Sequence, residues 1–106
     1  MERKLEICKE YGVNAIRCSH NQPSPEFLDL CDRMGFVVID EAFDKWKSGY
    51  YAQYFDAWWQ EDLKNMLVRD RNHPCVVLWS IGNELQEAWD GSDTGCRRAA
   101  MLQDFV

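Results

Sequence analysis

The sequence predicts an α/β fold in which three short parallel strands alternate with helices. Three observations carry that prediction. Strand-length apolar runs, "VNAIRCS", "FVVI" and "VVLWSI", are separated by stretches whose apolar residues recur at helical spacing. The runs are nearly continuous rather than alternating, as expected for strands covered by helices on a parallel sheet. Helix start and stop signals fall between them.

The elements follow in order. Residues 2–11 read as a helix with Leu5, Cys8 and Tyr11 on one face, ended by Gly12 and lacking a capping residue in front. Val13 to Ser19 is the first strand. Ser24 caps a second helix, with Pro25 at its first position. Phe27, Leu30, Cys31 and Met34 form its apolar stripe, and Gly35 stops it. Phe36 to Ile39 is the second strand, ending at Asp40-Glu41. An aromatic-rich irregular segment, "AFDKWKSGYYAQYF", leads to Asp56, which is expected to cap a third helix with Trp59, Leu63 and Met66 or Leu67 inward. "RDRNHP" closes that helix, because proline cannot continue it. Val76 to Ile81 is the third strand. Asp90 to Thr94 reads as a polar loop, and a fourth helix runs from Cys96. No repeat, low-complexity tract or linker divides the chain, so residues 1–106 form a single segment.

Composition narrows the function. The chain is 46% hydrophobic, 13% aromatic and 28% charged, a globular balance. A net charge of −6 argues against nucleic acid or an anionic membrane as partner. No apolar run approaches the roughly 20 residues of a membrane span. Met1 to Glu6 lacks the apolar core of a signal peptide, so a cytoplasmic location is expected. The five cysteines, an odd number without metal-ligand spacing, read as free and mostly buried thiols.

Polar residues gather at one place. His20 follows the first strand, Asp40 and Glu41 the second, Asn83 and Glu84 the third. In a parallel sheet these C-terminal strand ends share an edge, the edge on which α/β proteins build sites. A doubly wound nucleotide-binding sheet would want a glycine-rich phosphate loop there. "CSHNQPSP", "DEAFDKWK" and "GNELQEAW" supply none, which leaves the β/α barrel as the favoured architecture.

The blocks "NAIRCSHNQPSPEFLDLCDRMGFVVIDEA" and "RDRNHPCVVLWSIGNE" closely resemble the catalytic barrel of glycoside hydrolase family 2, the beta-galactosidase and beta-glucuronidase family. The resemblance runs from about Leu5 to Trp89. It implies a partial TIM (β/α)8 barrel, strands two to four, and a retaining mechanism on a beta-glycoside, with the beta-galactosidase type the nearest. Glu84 would be the general acid and then the general base. Asn83 would bind the sugar's 2-hydroxyl, His20 would contact substrate, and Arg17 would lie near the nucleophile or pair with a buried acid such as Asp40.

Two features depart from the family pattern. The nucleophile, a second glutamate after strand seven, is not present, and a whole barrel needs about 250 residues. The chain is therefore expected to be a fragment, inactive alone. Some members hold magnesium with an acid and a histidine after strand three; "DEAFDKWK" has no histidine, so no metal or other cofactor is expected. At least one of Asp40 and Glu41 reads as part of a supporting hydrogen-bond network, and His73, on the opposite face, as structural. Trp46, Tyr50, Tyr51 and Tyr54 suit either sugar stacking or loop packing. The competing function is a non-catalytic half-barrel module that binds carbohydrate or self-associates, its open sheet edges favouring oligomers. Metal-dependent phosphoryl transfer by Asp40, Glu41 and Asp44 is disfavoured for want of a phosphate-binding cation.

Overall fold

Local signals place most of the elements. In a computed structural model, which describes residues 1–90 and 92–106, the order is α1 (Glu2–Glu10), β1 (Ala15–Arg17), α2 (Pro25–Met34), β2 (Val37–Glu41), α3 (Ala52–Asp70), β3 (Val76–Ser80), α4 (Gln86–Trp89) and α5 (Asp93–Phe105). Ser24 caps α2 by accepting from the Phe27 N–H at 3.3 Å. Gly35 ends it in the left-handed region at φ 72°, where a side chain would be strained.

Four expectations shift. Helix α3 starts at Ala52, not at Asp56, which lies inside it and pairs with Lys47. The cause is burial: Phe55 joins Trp59, Leu63 and Met66 on one helical stripe, so packing extends the helix backward. Helix α5 likewise starts at Asp93 rather than Cys96, and the short α4 precedes it. Gly91, in the loop expected over Asp90–Thr94, lies outside the described residues. Strand β2 continues through Glu41, so both acids sit within the sheet. On α1 only Leu5 is buried, while Tyr11 is exposed.

The sheet has the order β1-β2-β3 with both pairings parallel. Arg17 is opposite Ile39, and Glu41 is opposite Ser80. A register shift between Val38 and Ile39 sets Val38 against Val76 and Ile39 against Leu78. Two apolar clusters cover the helical side. One, around Leu28, Cys31, Phe36 and Val38, seats α1 and α2. The other, around Trp46, Phe55, Leu63, Met66 and Leu102, joins α3, α5 and the β2–α3 loop.

The opposite face of the sheet is open among the described residues. Val37 and Leu78 are 44% and 50% exposed, although their sequence runs suggested cover on both sides. The radius of gyration, 15.0 Å, exceeds the roughly 13 Å of a compact chain this long. This is the geometry of an arc of barrel, whose inner layer is shared with strands on the far side.

Candidate active site

Successive residues of a strand face opposite sides, so Asp40 and Glu41 part company. Glu41 is fully buried and receives every neighbour's donor. Arg17 Nε donates to its Oε2 at 2.9 Å, Ser80 Oγ donates to the same atom at 2.8 Å, and His20 Nδ1 lies 2.9 Å from Oε1. A carboxylate only accepts, so Nδ1 of His20 carries the proton and Nε2 is left for other partners. Arg17 therefore pairs with Glu41, not with Asp40 as one sequence reading had it. Strand register explains this, because Arg17 and Glu41 share the open face.

Arg17 has a second role. Its Nη2 donates to Asn83 Oδ1 at 2.8 Å. The other end of that amide, Nδ2, donates to Asp44 Oδ1 at 3.0 Å, and the Asn83 N–H donates to the Asp44 carbonyl at 3.0 Å. Asn83 is thus buried and oriented at three points. The hydrogen bonds from Asn83 and then Lys45 hold the Asp44 carboxyl below the usual carboxylate range. Trp46, fully buried, braces the same turn from behind by donating its indole N–H to Ile81 O at 2.7 Å.

Glu84 follows in a backbone conformation with φ 43°, uncommon for a non-glycine residue. Its side chain is 68% exposed, in contrast to the buried Asn83 and Glu41, and Lys45 Nζ stands 3.6 Å from its Oε2. The structure therefore brings all four sequence-selected residues, Arg17, His20, Asn83 and Glu84, to one rim. Two further members, Ser80 and Lys45, escaped sequence reading. Lys45 belongs to the segment after β2 that pointed to the rim and Ser80 ends the β3 run itself, and neither residue type distinguishes itself without its neighbours.

Asp40 lies on the helical side, buried, with Asp70 beside it and Arg69, His73, Cys18 and Glu41 as further titratable or charged neighbours. As an ionised carboxylate it has no hydrogen-bond donor to meet among the described residues; as an acid it can donate to Asp70. Burial, then the Asp70 hydrogen bond and charge, push its pKa up to about 7. Asp70 is itself held by Arg69 at 2.6 Å.

On the N-terminal side, away from the rim, Asp32 accepts from Cys75 N at 2.9 Å and pairs with His73 Nδ1 at 2.6 Å. Asp32, His73 and Cys75 place ligand-type atoms within 4.8 Å of one another. The set suits a metal poorly: His73 and Asp32 are bonded to each other, and burial pushes the Cys75 thiol up to about 12. All five cysteines are free. Of the loop aromatics, Trp46 and Tyr51 are packing residues, Tyr51 stacking on Phe43 at 5.1 Å. Tyr50 is exposed and lines a cavity of about 420 Å³ with Asn21, Gln22, Asp44 and Lys45.

Three adjacent parallel strands with helices on one side define an arc of a TIM-type β/α barrel, and the polar rim lies at the strand C-termini, the end where such barrels carry their sites. Within that class the chain belongs to the glycosyl hydrolases family 2, TIM barrel domain, whose model matches residues 1–105. It is 59% identical over 93 residues to the beta-galactosidase BoGH2A of Bacteroides ovatus, an alignment covering 84% of this chain and 11% of that protein. A crystal structure of a glycosyl hydrolase family 2 member from Bacteroides cellulosilyticus superposes with a TM-score of 0.90 at 50% identity, over 98% of this chain and 14% of that one. A Bifidobacterium dentium beta-glucuronidase superposes with a TM-score of 0.66 at 36% identity, over 78% of this chain and 14% of that one. The chain thus spans about a tenth of the length of the curated relatives it matches.

Proposed function

We propose that this segment supplies the acid/base half of a retaining beta-glycosidase site, with a beta-galactoside as the favoured substrate. The observation that carries the reading is the contrast at the end of β3. Asn83 is buried and fixed from three sides, while the adjacent Glu84 keeps its carboxyl open. A general acid must reach the glycosidic oxygen, and its neighbour must hold the sugar still. Glu84 would donate its proton to the leaving oxygen as the glycosidic bond breaks, then take a proton from the water that completes hydrolysis. Asn83 would bind the 2-hydroxyl of the same sugar. His20 would offer Nε2 to a substrate hydroxyl, and Arg17 would hold Asn83 and Glu41 in register.

A retaining pair needs a second carboxyl about 5 Å from the first. Glu41 is a poor nucleophile here, since both its oxygens are engaged by donors. In the proposed reading the nucleophile would come from outside this segment. The experiment is to express the polypeptide that carries the segment at its full encoded length and compare aryl beta-galactosides with aryl beta-glucuronides. Turnover that Glu84→Gln abolishes for poorly leaving aglycones, and spares more for strongly acidic phenols, supports the acid/base role. Equal activity of the variant on both would refute it.

A second reading has one observation in its favour. The open sheet face exposes Val37 and Leu78, and a bare apolar face invites association. In that reading the segment is a self-associating half-barrel module. Sedimentation of the 106-residue chain distinguishes the two: a discrete dimer favours the module, and aggregate or unfolded chain favours the barrel segment.

A further inference from the structure

The β2–α3 loop contributes a cation to the rim. Lys45 is only 24% exposed at its side chain. Its Nζ donates to Asp44 Oδ1 at 3.0 Å and to the Asn83 carbonyl at 3.2 Å, and it stands 3.6 Å from Glu84 Oε2. An ammonium has three N–H donors, and here it faces three oxygen acceptors. Two of the acceptors, the Asn83 carbonyl and the Glu84 carboxylate, flank a single peptide unit. Lys45 therefore grips the backbone and the side chain of the Asn83–Glu84 pair together. Its own anchor, Asp44, is tied to Asn83 through both the amide side chain and the backbone N–H. Attraction to Asp44, chiefly through their hydrogen bond, and to Glu84 raises the Lys45 pKa, which keeps it charged.

We propose that Lys45 is a positioning residue for Glu84, resting on the acid/base reading of that glutamate. The clamp works in both protonation states. When Glu84 is an acid, Lys45 is still held by Asp44 and by the Asn83 carbonyl, so the loop and the peptide stay in place. When Glu84 passes its proton to the leaving oxygen, the glycosidic bond breaks and its electron pair goes to that oxygen. The carboxylate left behind then faces a cation already in position, with no rearrangement needed. In this role Lys45 acts through Glu84. The left-handed backbone at Glu84, which an ordinary loop would relax, is the strain that such a clamp sustains.

The test uses Lys45→Met and Lys45→Arg in the full-length polypeptide, with two readouts. The first is hydrogen–deuterium exchange of the peptide covering residues 82–86. Lys45→Met speeds exchange there and not in β1 or α2, and Lys45→Arg, which keeps the charge, restores protection. Unchanged exchange in Lys45→Met overturns the proposal, whether or not the protein turns over a glycoside. The second readout is kcat on paired aryl glycosides. Lys45→Met loses about 100-fold more with a poor leaving group than with an acidic phenol, the penalty of a misplaced acid. An equal loss on both marks a merely structural lysine and overturns the proposal. Absence of glycosidase activity in the wild-type protein would sink the acid/base reading alone, and the exchange data would still judge the clamp. If Lys45→Met does not fold, Lys45→Arg decides: exchange and leaving-group dependence close to wild type uphold the clamp, and wild-type stability with raised exchange at residues 82–86 and no change in leaving-group dependence overturns it.

Discussion

Arg17 and Asn83, in different strand-end segments and far apart in sequence, are joined by a 2.8 Å hydrogen bond from guanidinium to amide oxygen. The same guanidinium holds the buried Glu41. One side chain thus sets β1, β2 and the end of β3 relative to one another, and orients the amide beside Glu84.

Arg17→Lys should uncouple these roles. A single ammonium cannot reproduce the guanidinium's fork toward Glu41 and Asn83 at once. The expected result is a fall in kcat/KM of about 100-fold, from loss of substrate orientation. Arg17→Ala should in addition destabilise the fold by about 2 kcal/mol, since it strips a donor from a buried carboxylate that keeps only His20 and Ser80. Steady-state kinetics and urea denaturation measure the two effects separately. Full activity in Arg17→Lys would show that Asn83 is held well enough by Asp44.

Asp40→Asn should flatten the pH dependence of stability. The folded state keeps the Asp40 proton up to about pH 7, whereas the unfolded chain releases it near the ordinary value of 3.8. Between those values the folded state binds more protons, so stability declines as pH rises, by at most about 1.4 kcal/mol per pH unit. Below 3.8 both states are protonated and the penalty vanishes. Asparagine cannot ionise and can still donate to Asp70. Its denaturation midpoint should therefore hold steady across the window in which the wild type loses ground. A wild-type slope preserved in the variant would contradict this.

Gly95→Ala should drive α4 and α5 apart. A Cβ at Gly95 would lie 1.9 Å from the Glu87 carbonyl oxygen and 2.8 Å from Ala88 N, both backbone atoms that cannot swing away. The cost is about 1–3 kcal/mol of overpacking, and α4 would lose its seat directly after the Glu84 turn. Thermal denaturation should show a lowered midpoint, and a structure of the variant should lack the 3.1 Å Arg98–Glu87 pair.

Asp32→Ala should loosen the start of β3. Burial alone would raise the Asp32 pKa, but the hydrogen bonds from Cys75 and His73 outweigh it and hold it below 3.8. Asp32 thus adds stability that is present above about pH 4 and is lost as acid protonates the folded carboxyl. Removing it should cost about 2 kcal/mol near neutral pH, with a smaller difference from wild type in acid. Chemical denaturation at both pH values is the measurement. A pH-independent difference would assign the loss to packing instead.

The alternation of helices and strands, the Ser24 cap, the Gly35 stop and the gathering of His20, Asn83 and Glu84 at strand C-termini were all legible in the sequence. Each depends on signals within a few residues: period, caps and breakers. What tertiary structure decided depends on residues far apart in the chain. The pleat separates Asp40 from Glu41, the register of β1 and β3 on β2 brings Arg17 and Ser80 to Glu41, and the packing of the α3 end brings Asp70 to Asp40. Helix α3 gains its first turn from Phe55 packing against Phe43 and Trp46, a contact no local cap encodes. Lys45 becomes part of the site because β2 and β3 end side by side. Local periodicity determines which elements form, and the packing of distant elements determines which charges they bring together.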